Sequence, residues 1–173
     1  GVRAYTAPPH IPNRTDLSRT HAELWANKQK RIEVTREMME IRFGEKFVHR
    51  DLDVLRGIEG SRIKAAYSLH ASQIGIPWKG RRFDRSAPST GDLPNIALNH
   101  VVTAIEAAAT VATTVVGAVP QLGFIHEDPG PAFVLDITDL YRTTHTIPIA
   151  FKAAKKCLDD PSLDVERTAR RMA

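Results

Sequence analysis

The sequence predicts an all-α protein, and three observations carry that reading. Apolar residues recur at helical spacing after Asp16, a long run rich in Ala, Val, Ile and Thr follows Asp92, and strand-like alternation is confined to Gly1–Tyr5. Length and composition agree. The chain of 173 residues suits one domain, or one domain with a remnant beside it, but not two full ones, and 42% hydrophobic with 25% charged residues is the make-up of a globular chain, which excludes disordered and collagen-like classes. Cys157 is the single cysteine, which excludes an internal disulfide framework and a cysteine-built zinc cluster.

The elements follow in order. Val2 and Ala4 alternate with Arg3 and Tyr5 as at the end of a strand, and Pro8, Pro9 and Pro12 make residues 7–13 a linker. The chain opens on Gly1 rather than Met, with no signal-peptide pattern, and is expected to be a fragment. From Asp16, the spacing of Leu17, Leu24, Trp25, Ile32, Met39 and Phe43 predicts one helix, stopped by Gly44. A second helix is expected from Asp51 or Asp53 towards Gly75, with Leu55, Ile58, Ala65, Ala66 and Leu69 on its inner face. Residues 76–92 are rich in turn formers and basic side chains and read as a loop.

Asp92 as N-cap and Pro94 in the first turn open a third helix across Asn95–Val119. Its apolar length passes the ~20 residues that a bilayer needs. Asn99, His100, Glu106 and the weakly hydrophobic Ala and Thr content argue instead for a central helix enclosed by others. Gly123–Pro131 reads as a short strand or extended piece with a Pro-Gly turn. A short helix through Asp136 to Arg142 and another from about Pro148 to Leu158 complete the prediction.

The formal net charge is +4, and its distribution matters more than its size. Residues 56–85 hold Arg56, Arg62, Lys64, Lys79, Arg81, Arg82 and Arg85 against Glu59 and Asp84. Residues 86–151 hold Asp92, Glu106, Glu127, Asp128, Asp136 and Asp139 against Arg142 alone. A basic block beside an acidic one suits a site that attracts a polyanion and holds a divalent cation.

Three constellations are candidates for chemistry. His126, Glu127, Asp128, Asp136 and Asp139 fall in a stretch without Lys or Arg, and Asp136 and Asp139 share a helix face at i, i+3. Carboxylates among Phe133, Leu135, Ile137 and Leu140 are costly without a compensating positive charge. Magnesium or manganese would supply one through oxygen ligands, and an imidazole shifts the preference towards manganese; exposed aspartates capping a turn are the alternative. Glu59 is flanked by Gly57 and Gly60 inside a helix, with Arg56 and Arg62 three residues to either side. Helical glycines cost ~1 kcal/mol each relative to Ala, which implies either close helix packing or the approach of a phosphate backbone; a surface salt-bridge cluster is the plain reading of the charges. In Trp78–Arg85, Lys79, Arg81, Arg82 and Arg85 interleave with Trp78 and Phe83, the composition of a nucleic-acid contact or of a solvated loop pinned by its aromatics.

The motifs RGIEGSR at Arg56, WKGRRFDR at Trp78, LN at Leu98, GFIHED at Gly123 and FVLDITDLYR at Phe133, in this order, resemble CRISPR-associated protein one, the integrase of CRISPR adaptation, in its type I-E form. The resemblance covers nearly the whole chain. It implies that residues 1–13 are the end of an N-terminal β-domain with its linker and that residues 14–173 are the helical catalytic domain. It further implies that Glu59, His126 and Asp136 are metal ligands for magnesium or manganese, with Asp139 an additional catalytic acid. Arg56, Arg62, Lys79, Arg81, Arg82 and Arg85 are implied to hold DNA phosphates. Glu106 stands where type I-E relatives usually carry tyrosine.

The implied reaction is attack by a protospacer 3′-hydroxyl on a phosphodiester at the edge of a CRISPR repeat. The implied partners are double-stranded DNA (protospacer and repeat), a second copy of the chain, and the small ferredoxin-like dimer of the second CRISPR-associated protein. The implied setting is the prokaryotic cytoplasm, with no membrane partner. A general metal-dependent nuclease acting on branched or single-stranded DNA, and a non-catalytic DNA-binding scaffold, remain the rival readings.

Overall fold

The computed structural model describes residues 15–82, 90–127 and 130–173, and all regular structure among them is helical. The predicted strand end and linker lie outside the described residues, as do Phe83, Asp84, Arg85 and Asp128. Seven α-helices are described: α1 Asp16–Ala26, α2 Lys28–Phe43, α3 Leu52–Ile74, α4 Leu93–Val115, α5 Ala132–Leu140, α6 Ile147–Asp159 and α7 Val165–Met172. A π-helical turn, Arg142–Thr146, leads into α6.

The predicted first helix is two. Asn27 leaves the helical conformation (φ −92°, ψ 111°), and its side chain accepts from the backbone nitrogen of Lys30, so one residue ends α1 and caps α2. Apolar periodicity runs through this break undisturbed, which hides it from the sequence. Gly44 ends α2 at φ 71° and Gly75 follows α3 at φ 72°, both in the left-handed region where only glycine is unstrained. Asp51 Oδ1 accepts from the backbone of Asp53 and Val54 at the start of α3, and Asp92 Oδ1 accepts from Asn95 at the start of α4.

The chain forms two compact units. Among the described residues, one contains those of 15–56 and 106–140, the other those of 57–105 and 141–173. In the first, Met38, Phe124 and Ile125 are buried among Leu24, Val34, Phe133, Ile137 and Leu140. His21 belongs to this core: its Nε2 donates to Leu122 O (2.8 Å), its Nδ1 accepts from Val119 N–H (3.1 Å), and its ring stacks on Phe124. A ring nitrogen that accepts a backbone N–H holds no proton, so His21 is neutral here, and burial, foremost, pushes its pKa down.

In the second unit, Tyr67, Leu98, Val101, Ile147 and Phe151 are among the buried residues of the core, with Trp78 packed at its edge. Phe151 is wholly enclosed, and burying a side chain of that size contributes ~1.5–3 kcal/mol. The expected inner face of α3 is corrected in part: Leu55 is buried, but Leu69 and Ala65 are exposed while Tyr67 and Ala71 point inward. By length and hydropathy α4 is able to cross a membrane. It is not enclosed along its length as expected: Ala97, Leu98 and Val101 are buried, whereas Val111 and Val115 are exposed. Helix α7 lies beyond the predicted elements, and Asp164 caps it by accepting from Arg167 N at 2.7 Å.

Candidate active site

The unit containing α5 carries the acidic site. The segment Gly123–Glu127 has no regular secondary structure, so side chains fix its position. Asp136, fully buried on α5, accepts four hydrogen bonds from it. Oδ2 receives Phe124 N–H (2.5 Å) and Ile125 N–H (3.1 Å), and Oδ1 receives His126 N–H (3.0 Å) and His126 Nδ1 (2.7 Å). With three N–H groups already donating to its oxygens, Asp136 is the acceptor in the contact with the ring, which places the donor proton on Nδ1 and turns Nε2 away from Asp136.

That Nε2 lies 3.9 Å from Asp139 Oδ2. Two acceptor atoms facing each other repel unless a cation or proton joins them, and 3.9 Å is too long for a hydrogen bond. It is within twice the ~2.1 Å at which divalent cations take nitrogen or oxygen ligands. Arg42, with its side chain 1% exposed, approaches the same Oδ2 at 3.6 Å. Buried Asp139 therefore has a buried cation beside it, which meets part of the desolvation cost.

Gly123 is required at its position. A Cβ there would stand 2.5 Å from His126 O and 2.7 Å from Ala132 Cβ, closer than van der Waals contact allows. Arg31 and Arg56 flank Glu127, with Nη1 of Arg31 at 2.8 Å and Nη2 of Arg56 at 3.2 Å from its oxygens. The Arg31 hydrogen bond, foremost, and the Arg56 guanidinium hold the Glu127 carboxyl below the usual range.

The predicted site residues are thus not all alike. His126, Asp136 and Asp139 come together in one unit. Glu59 lies in the other unit, half-buried on α3, and among the described residues no group of three His, Cys, Asp or Glu side chains is placed to hold a metal ion. The glycines beside Glu59 do not serve close packing, because a Cβ at Gly57 or Gly60 would meet nothing within 4 Å. Glu106 is half-buried on α4.

The basic set also divides. Arg56 Nε donates to Ile125 O at 2.8 Å, so this residue braces the segment of the acidic site. Arg81 is a structural anchor as well, donating to Asn95 Oδ1 (3.1 Å) and Asn99 Oδ1 (2.7 Å), both on α4. Burial, foremost, lowers its pKa, and Arg142 adds like-charge repulsion. Lys79 and Arg82 are exposed, and Arg62 is half-buried. A pocket of about 700 Å³ in this unit is lined by Lys64, Arg81, Arg142, Tyr67 and Trp78 among others, three cations beside two stacked aromatic rings. In the sequence Lys64 and Arg142 stand out only as charges; Arg142 follows the acidic stretch, with no local signal that it faces a pocket.

The chain is similar to one class of known proteins, the CRISPR-associated proteins. Residues 10–162 match the family model described as CRISPR associated protein Cas1, and the chain belongs to that family. It is 34% identical over 171 residues to the CRISPR-associated endonuclease Cas1 of Escherichia coli K12, covering 98% of this chain and 56% of that protein. The corresponding endonuclease of Geobacter sulfurreducens is also 34% identical, over the same share of both chains. The chain thus spans a little over half the length of these relatives. Among solved structures, a TtCas1–DNA complex superposes with a TM-score of 0.81 at 31% identity, covering 92% of this chain and 58% of that one. TtCas1 alone gives a TM-score of 0.77.

Proposed function

We propose that the protein is a metal-dependent DNA integrase and endonuclease of CRISPR adaptation. Its reaction is attack by a protospacer 3′-hydroxyl on a phosphodiester at the edge of a repeat; with water as the nucleophile, the same site is a nuclease. The observation that carries the reading is the bracing of His126 by Asp136, which aims Nε2 at Asp139. A histidine whose other ring nitrogen donates to a carboxylate is the usual form of a metal-ligating imidazole.

In this reading the two aspartates exchange the roles expected of them. Both oxygens of Asp136 are committed to four donors, so Asp136 positions His126, while Asp139 and His126 are the ligands within this unit. Glu59 enters as a third ligand through the family resemblance, and the open helix surface at Gly57 and Gly60 is compatible with a ligand beside it. Magnesium or manganese, when bound, would polarise the attacked phosphate and favour the alkoxide form of the attacking hydroxyl. The chain's own residues hold the ligand atoms in place, and Lys64, Arg142, Arg62, Lys79 and Arg82 offer cations to DNA phosphates. Double-stranded protospacer and repeat DNA, a second copy of the chain and the small second CRISPR-associated protein are the partners of this reading.

The test is a joining assay with the second CRISPR-associated protein, labelled protospacer DNA and a plasmid bearing a CRISPR array. Manganese is compared with EDTA, and the unmodified protein with His126→Ala. Metal-dependent joining at repeat ends, abolished in the variant, is the expected result. Cutting without joining would identify a general nuclease, and DNA binding with neither reaction a scaffold.

A further inference from the structure

Arg31 lies on the first turns of α2, far in sequence from any predicted site residue, and its side chain is only 14% exposed. All three of its nitrogens serve the segment that carries His126. Nε donates to Phe124 O (3.1 Å), Nη2 to Gly123 O (3.2 Å) and Nη1 to Glu127 Oε1 (2.8 Å). Thr35 Oγ1 adds a second donor to Phe124 O at 3.2 Å, and Arg56 Nε takes the next carbonyl, Ile125 O.

The segment is therefore gripped from two sides. Asp136 takes the N–H groups of Phe124, Ile125 and His126, while the guanidiniums take the carbonyls of Gly123, Phe124 and Ile125. The two grips hold the opposite polar edges of one stretch that has no ladder or helix bonds of its own to fix it. The grip also needs a planar fork whose donors point in fixed, divergent directions, which an ammonium does not provide.

We propose that Arg31 is a positioning residue for His126: by holding the carbonyls of Gly123 and Phe124 it fixes the imidazole against Asp139, with Glu127 as its counter-charge. This rests on the reading of His126 as a metal ligand. Arg31 is not offered to DNA, since its three nitrogens are already taken by Phe124 O, Gly123 O and Glu127.

The test uses the full-length protein with Mn2+ alone as probe, without DNA. Binding is measured by calorimetry, and the His126 ring nitrogens are followed by 15N NMR in the metal-free protein. Arg31→Met is expected to weaken Mn2+ binding about tenfold, the scale on which residues behind metal ligands act, and to shift the Nδ1 signal. Arg31→Lys, which keeps the charge and adds little strain, is expected to fall between and serves if the Met variant does not fold. DNA affinity is expected to stay within about twofold of the unmodified protein. Mn2+ affinity and Nδ1 signal unchanged in either variant, with His126→Ala impaired, would overturn the inference alone. Unchanged Mn2+ binding in His126→Ala would overturn the ligand reading beneath it.

Discussion

Asp136 Oδ1 accepts both the backbone N–H of His126, at 3.0 Å, and its ring Nδ1, at 2.7 Å. One oxygen thus fixes where the residue starts and how its ring is turned. Asp136→Asn keeps the shape but turns an NH2 towards at least one of four donors. A buried charged acceptor lost in this way costs ~2–4 kcal/mol. Urea unfolding of the variant is expected to show that loss, and strand joining is expected to fall with it. A variant as stable as the unmodified protein would show that Asp136 is not the anchor of the segment.

Gly123→Ala tests the same segment from its backbone. The added Cβ meets His126 O and Ala132, and backbone atoms cannot swing aside as a side chain does. Overpacking of this kind costs ~1–3 kcal/mol. Urea unfolding checks the loss, and Mn2+ binding is expected to weaken because the displaced atom belongs to His126 itself.

His21 predicts a pH dependence. Its native pKa is lowered, foremost by burial, while in the unfolded chain it returns to the ordinary value of about 6.5. Between the native pKa and 6.5 the unfolded state binds more protons, so stability rises with pH in that window. The contribution of His21 is complete above about pH 6.5 and is lost as pH falls through the native pKa. Thermal melting between pH 5 and 8 is expected to show a slope in the acid half that His21→Gln flattens. An unchanged slope would show that His21 is not the titrating group.

The parts of this fold visible in the sequence are those set by a single local interaction. Gly44, Gly75, Asp51 and Asp92 mark helix ends because backbone conformation or a cap acts within a few residues. The break at Asn27 was not visible, because a capping asparagine looks like any polar residue on a helix surface. The pairing of Asp136 with Asp139 on one face was visible, but not which one faces the ring. That depends on Phe124, Ile125 and His126 folding back over α5, a contact across ten or more residues. Sequence also shows that Arg56 and Arg81 are cations, not that Ile125 O, Asn95 and Asn99 already claim them.

The second basic cluster separates anchoring from DNA contact. Arg81 holds Asn95 and Asn99, both buried, while Asn95 also accepts from Arg82 N (2.8 Å) and donates to Gly80 O (3.1 Å). Removing the guanidinium takes one donor each from the buried amide oxygens of Asn95 and Asn99, of which Asn95 keeps Arg82 N–H, a loss of ~1–3 kcal/mol, so Arg81→Ala is expected to lower the melting temperature. Arg142 lines the pocket beside it, with Lys64, Tyr67 and Trp78. Arg142→Ala is expected to weaken double-stranded DNA binding and to reduce the dependence of log affinity on log salt by ~0.9, one phosphate contact. Melting curves and binding isotherms at several salt concentrations distinguish the two residues. A salt slope unchanged in Arg142→Ala would remove the pocket from the DNA path, and a melting temperature unchanged in Arg81→Ala would return Arg81 to the phosphate-binding set.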